Sequence, residues 1–265
     1  MFKVNTDGTG YMVLKHFTGG DGANPYGGLT LSGSTLYGTT SEGGSGRGTV
    51  FKVNTDGTGY VVLKHCNQAD GLLPYAGLTM LDSTLYGTAS SGGSLGGGTV
   101  FKLSTNGAYY TVLKHFTFVD GIVPRAGLTL SRNTLYGTTT QGGGSGRGTV
   151  FKVNTDGTGY RVLKHFTGGD GSNPWGDLTL SGSALYGTTE RGGSVGSGTV
   201  FRIDLSGIGF VAAPGGSMIL NWIDSAFALQ AAAEVSGPYT NVPGATSPYT
   251  NAVSGNRKFF RLVGN

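Results

Sequence analysis

All four histidines of the chain occupy one recurring position, each directly after a lysine at the end of an apolar stretch. They are His16, His65, His115 and His165. Zinc requires its ligands within about 2.1 Å of one point, whereas equivalent residues on neighbouring packed sheets stand about 10 Å apart or more. We therefore predict no metal site, and we expect each histidine to hydrogen-bond a neighbouring turn.

Four aspartates recur in the motif Asp-Gly-x-x-Pro. They are Asp21, Asp70, Asp120 and Asp170. Calcium takes six to eight oxygen ligands and each loop offers one carboxylate, so we interpret these motifs as Asx-type turns that cap backbone N–H groups. The recurrent Gly-Gly-Ser loops precede no helix and no Gly-Lys-Ser/Thr is present, which excludes a phosphate loop. No cofactor is predicted.

Catalytic residues are not indicated by the sequence. No acidic pair lies at a position unique to one repeat, and repeated residues give symmetric sets rather than the asymmetric pair that acid–base chemistry needs. A Ser/His/Asp set assembled only by the fold stays open. We predict that the protein is not an enzyme.

One loop position differs from repeat to repeat, directly after the loop proline. Its occupants are Tyr26, Tyr75, Arg125 and Trp175. Variation among near-identical repeats indicates exposure, because packing would restrict a core position. Exposed rings on one rim could stack on sugars, with Asn24 and Asn173 hydrogen-bonding hydroxyl groups. The alternative is that the rings only cover the junction between repeats.

Composition limits the other classes of function. Of 265 residues, 52 are glycine, 37% are apolar and 12% are charged, which indicates a folded, β-rich chain. The net charge of +4 is not clustered, so nucleic-acid binding is not predicted. Cys66 is the single cysteine and replaces a phenylalanine of the sister repeats, as a small core residue would. No apolar run is long enough to span a membrane, and no export signal follows Met1.

Self-similarity predicts the fold. Phe-Lys-Val or a close variant begins at residues 2, 51, 101, 151 and 201, a period of about 50 residues. One unit contains four strands, predicted at 28–31, 35–39, 48–53 and 60–64, with Asp56-Gly57 as a hairpin turn. Four antiparallel strands with both faces apolar are typical of a β-propeller blade. A linear β-solenoid is the alternative fold.

These strings resemble the choice-of-anchor GloVer tandem repeat. Its Leu-Tyr-Gly-Thr-Thr, Gly-Thr-Val-Phe-Lys-Val-Asn-Thr-Asp-Gly-Thr-Gly and Asp-Gly-x-x-Pro segments match residues 36–40, 48–59 and 70–74, and the resemblance extends over about 1–210. It implies a bacterial extracellular or cell-surface repeat protein with a propeller-like fold, and it implies no known reaction.

The period stops near residue 216, so we divide the chain into a repeat domain, 1–212, and a C-terminal β module, 217–265. The second resembles small β-sandwich domains of secreted verrucomicrobial proteins. Helix propensity alone would make 226–234 a helix, whereas the resemblance implies a Leu-Gln strand there.

We thus predict an all-β, β-propeller-like array of four complete four-stranded blades plus an N-terminal half-blade, followed by the β-sandwich-like module. The fourth blade would end with a strand at 207–212. Since the chain opens within a repeat, we expect it to be part of a longer protein. The half-blade edge could pair with the C-terminal module or with a second molecule, or stay open.

The expected function is a non-catalytic extracellular or cell-surface binding module, with a glycan as the first ligand. A purely structural surface-layer or filament repeat is the alternative, and a polysaccharide hydrolase or lyase is a more distant one. The expected partners are cell-surface polysaccharides and a second copy of the chain.

Overall fold

The computed structural model describes residues 1–213, 217–222, 227–252 and 258–264. Within those ranges the regular structure is entirely β, without a helix. Accordingly, none of these residues forms a helix that could cross a membrane. The chain divides into two compact units, Met1–Thr179 with Gly187–Phe201, and Leu180–Tyr186 with Arg202–Asn265.

The repeats form consecutive antiparallel sheets. A hairpin comes first, with β1 (Phe2–Lys3) and β2 (Met12–Val13). Three four-stranded sheets follow: β3 (Thr30–Ser32), β4 (Thr35–Thr40), β5 (Thr49–Asn54) and β6 (Val61–His65); β7 (Thr79–Leu81), β8 (Thr84–Ala89), β9 (Thr99–Ser104) and β10 (Tyr110–His115); β11 (Thr129–Ser131), β12 (Thr134–Thr139), β13 (Thr149–Asn154) and β14 (Arg161–His165). A three-stranded sheet completes the series: β15 (Thr179–Ser181), β16 (Ala184–Thr189) and β17 (Thr199–Asp204).

Strand pairing confirms the predicted blade-like fold. In each four-stranded sheet the strands are neighbours in the order of the sequence, for example β3-β4-β5-β6. In a solenoid, strands of successive repeats would pair with each other. Among the described strands β1 to β17, hydrogen-bonded neighbours always belong to one repeat.

Apolar residues on both faces of the third strand bind consecutive sheets together. On β5, Val50 and Phe51 are both fully buried although they point to opposite faces. Val50 joins a core cluster with Leu85 and Phe101 of the next sheet. The equivalent cluster joins Val100 to residues of the sheet β11–β14. Burial of both faces is therefore what couples each repeat to its neighbours.

The expected strand at 207–212 forms, but its partner differs from the prediction. Strand β18 (Ile208–Ala213) pairs along its full length with β19 (Ser217–Trp222), so the fourth repeat sheet has three strands, and the described residues form three four-stranded sheets. The local sequence predicts the strand itself but not the strand with which it pairs. Strand β19 is the next strand in the sequence after β18, and consecutive strands commonly pair with each other.

The C-terminal module consists of two small sheets. One has the order β18-β19-β22, with β22 at Tyr249–Ala252, and the other has β21 (Thr240–Asn241), β20 (Phe227–Ala232) and β23 (Phe259–Gly264) in the order β21-β20-β23. Leu220 and Trp222 of the first sheet share a core with Leu229 of the second. Of the segment with helix propensity, 227–232 is a strand between two partners, which corrects the helical alternative; residue 226 lies outside the described residues.

The predicted hairpin turns are confirmed, and they supply a direct test of the fold. Gly57 has φ = 88° and closes its turn with an N–H bond to Asn54 O at 2.9 Å. Gly57→Val should lower the free energy of unfolding by about 1 to 3 kcal/mol, because a β-branched residue is strained in this region. Gly20→Val is the matched control, since Gly20 has no positive φ and an open surrounding. Equal melting temperatures for the two variants would contradict this reasoning.

Candidate functional site

Each Asp-Gly-x-x-Pro turn is anchored by a lysine six residues before its aspartate. In the third repeat, Lys114 Nζ lies 2.7 Å from Asp120 Oδ2 and 4.1 Å from the ring centre of Tyr160 in the next repeat. The Tyr160 hydroxyl donates to the Asp120 carbonyl at 3.3 Å. The lysine, aspartate and tyrosine thus connect two repeats. The corresponding ion pairs are Lys15–Asp21, Lys64–Asp70 and Lys164–Asp170.

Three of the four aspartates also accept a backbone N–H bond, as predicted for turn-capping residues, whereas Asp70 accepts from Asn67 Nδ2. Asp21 Oδ1 accepts from Thr18 N at 2.9 Å. The bond from Lys15, and then the bond from Thr18, holds the pKa of the Asp21 carboxyl below its usual range. Since this pKa is depressed on folding, the pair stabilises the protein above the unfolded pKa of about 3.9 and loses that effect as the pH falls further. The ion pair with lysine was not predicted.

Two of the four histidines accept hydrogen bonds from the glycine-rich loop of their own sheet. His115 Nδ1 accepts from Ser94 N at 3.2 Å, and His165 Nδ1 accepts from Gly144 N at 3.1 Å. The predicted turn contact is confirmed for these two; His16, His65 and His165 are exposed, and His115 is half-buried. Within the described part of the chain, no three His, Cys, Asp or Glu side chains are grouped as metal ligands.

Cys66 is buried at the position of the sister phenylalanines, as expected for a small core residue. Burial raises the pKa of its thiol to about 12, so the thiolate is essentially absent at neutral pH. Cys66 is therefore a packing residue of the core.

The variable loop position presents a contiguous group of side chains. We call Tyr26, Tyr75, Arg125 and Trp175 the aromatic–arginine row. The ring centres of Tyr26 and Tyr75 are 5.8 Å apart. The guanidinium carbon of Arg125 lies 5.2 Å from the Tyr75 ring centre and 4.2 Å from that of Trp175. One side chain from each of four repeats thus meets the next along the row.

The backbone before the row is held in an unusual conformation. The residue two positions before each row member has a positive φ, including 57° at Leu73 and 61° at Val123. A β-branched residue with such a φ is a genuine outlier that the surrounding structure must enforce. At Val123, the N–H donates to Gly97 O at 3.0 Å and the carbonyl accepts from Thr140 N at 3.1 Å. These bonds fix the direction in which the loop leaves toward the row.

Close approach of the loop backbones that precede β3 and β7 explains the short distances between members of the row. A Cβ added at Gly27 would lie 2.5 Å from the backbone of Ala76, in the next repeat. At Gly77 it would lie 2.7 Å from Gly28 O. Glycine therefore allows adjacent backbones to touch just beyond the row, so the side chains on them meet as well.

Exposure differs along the row. Tyr26 and Trp175, at its two ends, are 68% and 48% exposed, whereas Tyr75 and Arg125 are half-buried. The structure thus brings all four predicted residues together and leaves both terminal rings accessible.

The side-chain amides of the two predicted asparagines, Asn24 and Asn173, differ in their availability to a ligand. Asn173 Nδ2 donates to Thr140 O at 3.1 Å, so half of its amide is already engaged. Asn24 is exposed, and its carbonyl accepts from Ser41 N at 3.1 Å. Asp177 was not predicted to take part here, yet its Oδ1 accepts from Gly127 N at 2.6 Å. The sequence does mark Asp177 as unusual, because the sister repeats have glycine at this position, namely Gly28, Gly77 and Gly127.

Comparisons with known proteins address the family. Among solved structures, a chain from "Crystal structure of Nidogen/Laminin Complex" is similar with a TM-score of 0.47 and 16% identity, over 73% of this chain and 70% of that one. No curated protein matches the chain. A family model, the Gloeobacter/Verrucomicrobia repeat, matches residues 1–130 and 81–213, which confirms the resemblance seen in the repeat strings. This tandem-repeat protein belongs to the Gloeobacter/Verrucomicrobia repeat family.

Proposed function

We propose that this chain is a non-catalytic extracellular or cell-surface binding module whose aromatic–arginine row binds a glycan. The observation that carries the proposal is the meeting of Tyr26, Tyr75, Arg125 and Trp175 in one row with exposed rings at both ends. The extracellular location follows from the family resemblance alone. No reaction is part of this proposal.

The chemistry of the row suits a sugar. Tyrosine and tryptophan present an apolar ring together with a polar group, which matches the mixed apolar and hydroxyl surface of a pyranose. The ring of Trp175 has Arg125 over one face, and no other ring or cation of the described residues contacts it. The row extends across four repeats, so a chain of sugars could contact several members at once, with the amide of exposed Asn24 near one end.

Trp175→Ala should weaken glycan binding about tenfold or more, because large aromatic residues dominate the binding free energy of such surfaces. The measurement is an array of plant, algal and bacterial polysaccharides, followed by calorimetry on the best binder. Tyr109→Ala is the matched control: Tyr109 is 79% exposed and lies in the hairpin turn after β9, outside the row.

Equal losses in the two variants, or no glycan bound by the wild-type protein, would contradict the proposal. Turnover of a polysaccharide on the array would instead favour the hydrolase or lyase alternative.

An architectural role is the second candidate, and one observation favours it. The second residue of the third strand is fully buried at Val50, Val100 and Val150, but Val200 is 80% exposed. A position that packs against a neighbouring sheet in three repeats is uncovered in the fourth, which makes it a surface for another repeat of the same kind. Pairing through the N-terminal half-blade edge stays a prediction.

Val200→Ser should therefore raise the dissociation constant of self-association about threefold or more, because apolar contact area is lost. Sedimentation equilibrium measures this constant. Val195→Ser is the control, since Val195 is 84% exposed on a glycine-rich loop and its sister Leu95 is also exposed. A protein that is monomeric at high concentration would reject the assembly role and leave glycan binding unaffected.

A further inference from the structure

Arg125 is the one member of the aromatic–arginine row that is not aromatic. Its guanidinium lies against the rings of Tyr75 and Trp175. None of the ion pairs among the described residues includes it, and its buried Nε has no hydrogen-bond partner. The row thus contains a permanent positive charge that forms no ion pair with a carboxylate of the described chain.

The terminal nitrogens of Arg125 are available to a ligand. Among its nitrogens only Nε is both buried and without a partner, and no described residue hydrogen-bonds to Nη1 or Nη2. Aromatic rings contact the flat faces of a guanidinium, whereas its N–H groups point outward in its own plane. The contacts of the guanidinium with Tyr75 and Trp175 therefore restrict its position, and neither ring accepts a hydrogen bond from Nη1 or Nη2.

A planar pair of N–H donors matches a planar carboxylate. Arginine binds carboxylates through two parallel hydrogen bonds, which gives orientation as well as charge complementarity. A lysine or a neutral donor would lack this geometry. The flanking rings would contact the sugar that bears the carboxylate and its neighbours.

Resting on the glycan-binding function proposed above, we propose that the ligand of the row is an acidic glycan, whose uronate carboxylate is bound by Nη1 and Nη2 of Arg125 between Tyr75 and Trp175. This assigns the ligand class, and it makes Arg125 the residue that distinguishes an acidic sugar from a neutral one of the same shape.

The test compares a hexamer of galacturonic acid with its fully methyl-esterified form, which has the same rings without the charge. At low salt the wild-type protein should bind the acid about tenfold or more tightly than the ester, because a charge-assisted pair is lost in the ester. The preference should decrease as salt is added.

Arg125→Tyr is the variant of choice, because Tyr26 and Tyr75 show that tyrosine fits the same position in sister repeats. It should lose the preference for the acid, so that its affinities for the acid and the ester become equal within error. Arg161→Val removes the same charge from an exposed position where a sister repeat has Val61, and it should keep the preference.

The outcomes separate the two proposals. Equal affinity of the wild-type protein for acid and ester, with Trp175→Ala still weakening both, would overturn the acidic class and leave glycan binding intact. A preference that survives in Arg125→Tyr, or disappears in Arg161→Val, would overturn the role of Arg125. Binding of neither oligosaccharide would overturn this inference, and failure of the whole polysaccharide array would overturn the proposed function.

Discussion

Phe116→Ala should lower the free energy of unfolding by about 3 to 5 kcal/mol, the usual cost of removing a fully buried ring. The side chain of Phe116 is completely buried. Its ring centre lies 5.0 Å from that of Phe151 and 6.1 Å from that of Tyr160, both edge-on. The substitution would remove the ring contacts and leave a cavity between two sheets.

The sister position in the second repeat provides the control. Cys66 occupies it, and there the rings of Phe101 and Tyr110 stack at 5.2 Å with an angle of 24°. Since this cluster already lacks the third ring, Cys66→Ala should cost only about 1 kcal/mol. Chemical denaturation measures both variants, and comparable losses would show that the third ring does not contribute to coupling between the sheets.

The strand pattern was predictable because it is local. The apolar residues Val50, Phe51 and Val53 predict a strand with both faces buried. The Asp56-Gly57 turn predicts where that strand ends. Because the repeats are nearly identical in sequence, the strands predicted for one repeat apply to the other repeats as well. By contrast, the pairing of the strand at 208–213 with β19 depends on which partner the chain reaches first, and periodicity carries no information on that choice.

The row was predictable as a set of positions but not as a set of contacts. Sheets stacked face to face are about 10 Å apart, and on that basis equivalent side chains should not meet. Tyr26 and Tyr75 do meet, because the loop backbones before β3 and β7 touch at Gly27 and Gly77. Two glycines in adjacent repeats give this close approach, which no single repeat reveals.

The link from Lys114 through Asp120 to Tyr160 was missed for a similar reason. Each of these residues is a common surface type when considered alone. Their connection extends from one repeat to the next, so it follows from the stacking of the sheets rather than from spacing within one unit.

Gly137→Val should lower the free energy of unfolding by about 3 kcal/mol, because it adds side-chain atoms where two core residues already touch the backbone. A Cβ at Gly137 would lie 2.6 Å from the ring of Phe151 and 3.0 Å from a methyl group of Leu128. Both neighbours are buried in the cluster that joins two sheets, so neither can move without displacing others.

Gly169→Val is the matched control for this effect, since Gly169 has no positive φ and no heavy atom near its Cβ position. It should leave the unfolding midpoint within experimental error, whereas Gly137→Val should shift it strongly. The same glycine recurs as Gly38, Gly87 and Gly187, each facing the phenylalanine of its own third strand. A small loss of unfolding free energy in Gly137→Val would mean that the Phe151 ring can rotate away from the new side chain. Tight packing of that ring would then not be the interaction that holds consecutive sheets together.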